Sequence, residues 1–461
     1  MVSVTLTVAI ICSVLVLFLP LPYALAAYVA AVVWYPEHLR ISIGTIDISV
    51  GRIVVAVLLA RCLYDSRLRS KFVWTRLDTL VTISMVIYVG MYLITRPFWP
   101  AFENRGGFLM DTWFTYMVVR LIITDRAAMV SFLKATGIVL AALAMLGVIE
   151  AVTHWQPFMP LRRFRPWNPI VTDEGEAAAA TNEVVAQYRW GFSRAIGSFG
   201  HPIMFGLCFI MFLPLFWALR HERRPGRMVA YLFSTAAVVG ALSSMSGGPW
   251  FALGVTLFLL FMERYRHWIK QGLILFVIAC VLAEIGSNRP LYHVIVSYAN
   301  PLGGSGWQRA KIIDCAIEDF DKWWLAGYGG QDPGWGPRTG VGHTDPNNLF
   351  IASGIDYGIW GLIALCTVYV SAFAGVVRVY KSTSAPHLRA WAWAVGVSII
   401  ATAIAGMGVT FFGAPDMLLY CIFGLAGSLS NLQREVLVSQ KGSYLHATRR
   451  PDTGILEGAK I

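Results

Sequence analysis

Two polar, aromatic stretches in an otherwise apolar chain hold the residues whose types could do chemistry. The first, Tyr188-Arg189-Trp190-Gly191-Phe192-Ser193-Arg194, continues through Ala195 to His201-Pro202 and into an apolar run. Arginines beside glycines, just ahead of a predicted helix, suit an anion: guanidinium groups grip phosphate oxygens bidentately, and free amides and the helix dipole favour negative charge. Arginines resting at lipid headgroups fit the same residues equally well. The second stretch, residues 286–346, carries Trp307, Arg309, Trp323, Trp324 and His343-Thr344-Asp345-Pro346, with Asn347-Asn348 opening the next apolar run. A histidine near a carboxylate can serve as a base close to neutral pH. Loops this long are functional or disordered, and this one is too rich in tryptophan for disorder.

The elements that must position these residues are membrane helices. The 461-residue chain is 57% hydrophobic and 14% charged, with a mean hydropathy of +0.61, beyond the range of ordinary soluble domains. Apolar runs recur at the length a bilayer demands, near 47–64, 79–96, 107–124, 127–152, 200–219, 228–245, 249–263, 271–285, 354–377, 389–412 and 416–430. Residues 4–35 form one kinked span or two short ones broken at Pro20-Leu21-Pro22, and lack the basic flank and cleavage site of a signal peptide. The expectation is an all-α polytopic membrane protein of 12 spans, or 13 if the N-terminus is outside. Short basic loops at 67–76, 220–227, 264–270 and 378–389 face the cytoplasm by the positive-inside rule, which puts loops 153–199 and 286–346 outside. Residues 1–430 then form one transmembrane domain, and 431–461 a disordered cytoplasmic tail.

Other features carry structural expectations. Ile312, Ile313, Ala316, Ile317, Phe320 and Trp324 recur at helical spacing, which predicts an amphipathic helix on the membrane surface with Trp323 and Trp324 as interface anchors. Arg61 and Arg120 lie near inner helix ends, where long side chains snorkel, and Glu150 and Glu284 lie near outer ends. Arg52 is read as structural. The seven cysteines show no paired spacing, so neither a disulfide framework nor a zinc site is expected. His201, His293 and His343 are scattered without ligand spacing. The net charge of +11 reports topology before nucleic acid, and no nucleotide-binding motif is present to drive a pump.

Three segments resemble the bacterial O-antigen ligase and polysaccharide polymerase superfamily. Arg194-Ala195-Ile196-Gly197-Ser198-Phe199-Gly200-His201-Pro202 is similar to its Arg-x-x-Gly-Thr-Phe-x-x-Pro motif. Arg309 followed by Gly327-Tyr328-Gly329 is similar to its Arg-to-Gly-x-Gly loop, and Asn347-Asn348-Leu349-Phe350-Ile351 with Gly358-Ile359-Trp360-Gly361 to its His-Asn-x-aromatic-Leu signature and closing glycines. The likeness covers about residues 190–365. Two positions depart from the pattern. Read from Gly358, Asn347 stands where the family has histidine, with His343 four residues upstream; read from Gly354, His343 takes that place and Thr344 replaces the usual asparagine. Gly247 in Ser244-Met245-Ser246-Gly247 replaces an arginine, for which Arg189 or Arg52 could compensate, unless the acceptor differs from that of a typical ligase.

The resemblance implies a GT-C-like membrane glycosyltransferase of the bacterial inner membrane, its site facing the periplasm or exterior. Such an enzyme transfers a glycan from undecaprenyl pyrophosphate to a hydroxyl, without metal or other cofactor. Its implied partners are the lipid-linked glycan, membrane lipid, a flippase and a chain-length regulator, with no nucleic acid. The catalytic residues it implies are Arg194 and Arg309 for the leaving pyrophosphate and His343 for the acceptor, with the base open among His343, Asp345 and Asn347. Arg189, Trp190, His201, Trp307, Asp345, Asn347 and Asn348 would bind substrate, the tryptophans by stacking on sugars. The two departures tilt the reading toward a polymerase of exopolysaccharide or O-antigen repeats, with ligation of polymer to a lipid acceptor as the alternative. A polysaccharide or lipid transporter would place more polar residues inside the spans than this chain has.

Overall fold

The computed structural model describes residues 2–36, 38–43, 46–164, 188–222, 226–298, 306–340, 344 and 346–448. The chain is mostly helical, and seven of the described helices are long and apolar enough to cross a membrane. That is compatible with an all-α membrane protein. The exceptions to helix are two short antiparallel hairpins, β1 (Ile41–Ile43) with β2 (Ile46–Ile48) and β3 (Tyr188–Arg189) with β4 (Phe192–Ser193).

The first half contains α1 (Val2–Phe18), α2 (Leu21–Trp34), α3 (Val50–Tyr64), α4 (Ser66–Lys71), α5 (Arg76–Thr95), α6 (Phe98–Leu109), α7 (Thr115–Ile122) and α8 (Arg126–Thr153). The second contains α9 (Pro202–Ala218), α10 (Gly226–Ser243), α11 (Gly247–Met262), α12 (Ile269–Gly286), α13 (Leu291–Tyr298), α14 (Gly306–Glu318), α15 (Phe320–Trp323), α16 (Gly336–Thr339), α17 (Leu349–Ser382), α18 (Pro386–Gly406) and α19 (Ala414–Thr448). Each apolar run marked in the sequence is helical over most of its length, the run 389–412 leaving the helix after Gly406. Helix α9 is apolar on every side and almost wholly buried, packed against α8, α10 and α18. Helix α12 is equally apolar, yet none of its residues is buried, a combination that suits lipid rather than water.

Proline breaks the N-terminal segment. The chain forms two helices, with Pro20 before α2 and Pro22 in its first turn. Arg61 has defined partners: its Nη1 donates to the carbonyls of Val16 (2.5 Å) and Leu19 (2.7 Å), which the break leaves without helical partners. Arg120 does not reach out to a surface. It is fully buried and bonds Asp78 through Nε (2.7 Å) and Nη2 (2.9 Å), while Tyr116 donates to the same carboxylate. An intramembrane charge is tolerable when it is paired in this way. The sequence shows each partner but not their meeting, because Asp78 and Arg120 lie on different helices.

Helix α19 continues to Thr448, where a disordered tail is expected from residue 431. Extending a formed helix costs far less than nucleating one, and Gln433-Arg434-Glu435 has no breaker.

The second loop is a folded module. Ile312, Cys315, Ala316, Trp323, Trp335 and Ile355 form its core. Trp323 is therefore not an interface anchor: it is 6% exposed, and its Nε1 donates to the Ala316 carbonyl (2.8 Å). The predicted membrane-surface face is divided, since Ile312 and Ala316 point into the core while Ile317, Phe320 and Trp324 stay exposed. The module plugs into a break in α17 at Gly358, whose φ is +72°. There the Ile359 amide bonds the Trp324 carbonyl (2.8 Å) and the Gly329 amide bonds the Asp356 carbonyl (3.0 Å). A Cβ on Gly358 would lie 2.7 Å from the Leu325 carbonyl oxygen, and one on Gly327 2.6 Å from the Asp356 backbone. Both glycine motifs of the sequence thus mark one close approach of loop to helix.

Candidate functional site

The first loop delivers its arginines on hairpin β3–β4. Trp190 and Gly191 form its turn with φ of 52° and 82°, the left-handed pair of a tight hairpin in which glycine or asparagine is usual. Trp190 is 67% exposed and packs its ring 5.8 Å from that of Trp250 at the start of α11. Trp190, Met245, Asn347 and His154 are the non-glycine residues with positive φ among those described. The first three adjoin a candidate residue or its partner, Arg189, Ser246 and Asn348, while His154 is the left-handed C-cap of α8. Backbone strain of this kind clusters at functional sites.

Arg194 is 5% exposed and donates from Nη2 to the Ser246 hydroxyl (2.7 Å). Burial, reinforced by the nearby charge of Arg189, pushes its pKa from 12.5 down to about 10. Burial lowers Arg189 too, and its buried Nη1 has no hydrogen-bond partner among the described residues. Two guanidinium groups whose charges bear on each other, both partly desolvated, would be relieved by an anion.

The backbone that aims Arg194 is held on all sides. Gln156 Nε2 donates to the Arg194 carbonyl (3.1 Å), the Ala195 amide bonds the Ser243 carbonyl (3.0 Å), and the Ser198 hydroxyl bonds the Val33 carbonyl (2.6 Å). Glu150 is the main anchor. It is fully buried, and its Oε2 accepts from the amides of Ile196 (2.8 Å) and Gly197 (2.9 Å). The amides of this turn, which lies ahead of the helix N-terminus, are thus taken by a carboxylate of the chain itself, an arrangement that the left-handed φ of 57° at Gly197 permits. His201 caps α9, its Nδ1 accepting from the Ile203 amide (3.1 Å).

The second loop brings Arg309 from α14 toward the segment that links α18 to α19. Its Nη1 lies 3.9 Å from where a Cβ on Gly408 would stand. Asn348 caps α17, accepting from the amides of Phe350 (2.9 Å) and Ile351 (3.1 Å), and its Nδ2 donates to the Met407 carbonyl (3.0 Å). Phe412 of the same linker lies 3.3 Å from a Cβ placed on Gly200. Residues 407–412 are thus the bridge on which both loops converge. Trp307 is 64% exposed and packs against Gly340, and Asn347 takes the left-handed backbone that asparagine tolerates (φ 44°). His343 and Asp345 lie outside the described residues.

Arg52 is engaged elsewhere, forked onto Asp111 (2.6 and 3.1 Å) beside a π turn, Met110–Phe114, with Nη1 on the Asp47 carbonyl (3.0 Å). Arg189 is accordingly the cation that stands with Arg194. Glu150, Ser246, Trp250 and the 407–412 linker are missed by sequence reasoning. Ser246 and Trp250 sit in a segment singled out for the arginine it lacks, and Glu150 looks like one more helix-end carboxylate. No grouping of histidine, cysteine and acidic side chains suited to a metal occurs among the described residues. The chain matches no known family model and no curated protein.

Proposed function

We propose that this protein is a polytopic membrane glycosyltransferase of about 12 or 13 spans that polymerises glycan repeats carried on undecaprenyl pyrophosphate. The observation that carries the reading is buried Arg194 with half-buried Arg189 near it, on a loop whose end at Gly200 approaches Phe412, while Arg309 of the second loop approaches Gly408; Trp190 and Trp307 stand exposed beside these arginines in the chain. Such a site fits a ligand that is anionic at one end and sugar at the other.

In this reading the acceptor hydroxyl oxygen attacks the anomeric carbon of the donor. The bond to the pyrophosphate oxygen breaks, and the arginines stabilise the charge that develops there, normally the largest catalytic contribution. The hydroxyl proton passes to a base in the 343–347 segment, with His343 the first choice on chemical grounds. Ser246 and Glu150 are positioning residues, the first through the Arg194 guanidinium and the second through its backbone.

Purified protein incubated with a lipid-linked repeat unit, without nucleotide or added metal, should yield a ladder of longer glycans. Arg309→Ala, still inserted in the membrane, should lose the ladder. An unchanged ladder in that variant overturns the assignment, and polymer moved onto a lipid acceptor without chain growth makes the protein a ligase.

A further inference from the structure

At the end of the bundle away from the two loops, helices α5, α17 and α19 part to leave a cleft of about 440 Å³. Thr95 at the far end of α5 touches the loop module at Gly329, so Arg76, the first residue of α5, marks the opposite end. The inner wall of the cleft is mostly apolar and cut back by small residues: Leu80, Val370, Ala374, Gly375 and Ala426 line it, with the hydroxyls of Thr367 and Ser371 among them. A Cβ on Gly375 would meet nothing within 4 Å. The mouth is polar and cationic, with Arg76, Arg378, Ser430 and Gln433. No carboxylate lines the cleft, and Arg76 and Arg378 are exposed, with no ion pair among the described residues.

A cavity with a hydrocarbon wall and a cationic rim fits a molecule with an acyl chain and an anionic head. Basic pockets between spanning helices bind anionic lipid headgroups, and guanidinium forks match phosphate oxygens. We propose that this cleft is a binding site for an anionic phospholipid, its phosphate between Arg76 and Arg378 and one acyl chain along Gly375. The neighbouring carboxylate, Asp78, is engaged by Arg120, so the two rim arginines keep their charge for the lipid. The site is separate from the candidate catalytic end and does not depend on the reading given there.

The test is lipid retention in mixed micelles holding equal phosphatidylglycerol and phosphatidylcholine, read by native mass spectrometry. Two arginines at a membrane surface correspond to about a thirtyfold preference for the anionic lipid. Arg76→Ala with Arg378→Ala should remove that preference, and Gly375→Trp should lower retention with both arginines intact. The proposal is overturned if the wild-type protein shows no preference, if the double variant keeps it, or if soluble glycerol phosphate competes as well as the lipid, which would make this a free-phosphate site. Photo-crosslinking of the unmutated protein with a reactive phosphatidylglycerol keeps the test independent of variant folding. Label within 366–379 or 426–433 supports the site, and label confined elsewhere overturns it.

Discussion

Arg120 and Arg194 are both buried, and replacing each with methionine should have opposite consequences. Arg120 shares two hydrogen bonds with Asp78, so Arg120→Met strands a buried carboxylate, a loss of about 3–5 kcal/mol. Arg194 is different, because its charge is carried at a cost. A pKa pushed from 12.5 to about 10 corresponds to about 3 kcal/mol disfavouring the charged form, from about 1.4 kcal/mol per pH unit. Its hydrogen bond to Ser246 (2.7 Å) returns about 1.5–3 kcal/mol. Arg194→Met, similar in length and apolar, should therefore leave stability unchanged or raise it by about 1 kcal/mol. Depression of a cation's pKa also sets a sign: the folded state gains relative stability as pH rises from about 10 toward 12.5, and the variant should lose that gain. Apparent unfolding midpoints in detergent at one scan rate, compared for the three proteins, provide the assay, with glycan transfer measured on the same samples. Arg120→Met should melt well below wild type, while Arg194→Met should melt with it or above it and be inactive. A fall in Arg194→Met as large as that in Arg120→Met would refute the reasoning and make Arg194 a structural strut.

Glu150→Gln keeps the shape but puts an amide group where a carboxyl group accepts from two backbone amides; activity should fall about tenfold by way of kcat, roughly the weakening of one hydrogen bond, and a rise in KM alone would argue against positioning. Gly358→Ala meets both a φ of +72° and the Leu325 carbonyl at 2.7 Å, so the loop module should undock at a cost of about 1–3 kcal/mol, seen as faster hydrogen exchange in 324–329; unchanged exchange would count against the docking. Burial opposes ionisation of Asp314, but hydrogen bonds from His293 and Tyr292 outweigh it and hold its carboxyl below 3.8. The contact of α13 with α14 should therefore be intact above pH 3.8 and loosen as acid takes the pH lower, with amide exchange in 291–298 rising. Equal protection on both sides of that window would show that the bond contributes nothing.

Most of the helices were legible because long apolar runs leave few alternatives in a membrane. The two arginine-bearing segments were legible for the same reason, since polar, tryptophan-rich sequence stands out there. Glycine motifs were visible as motifs but not as contacts: that Gly327 and Gly358 meet depends on a loop folding back across 31 residues. Pairings between helices were not visible at all. Asp78 with Arg120, Arg52 with Asp111 and Glu150 with the 196–197 turn are each separated by 40 or more residues.

Sequence alone determined that this chain is built of apolar helices and that its polar groups gather in two long loops. Those are local properties, set by composition and by the backbone's need to satisfy its own hydrogen bonds in an apolar surrounding. Tertiary structure decided where each arginine points: Arg52 and Arg120 lie against carboxylates, while Arg194 donates to a serine hydroxyl and feels the charge of Arg189. The charge state of a site is a sum over neighbours in space, falling off with distance through the fold, and the order of residues along the chain does not contain that sum.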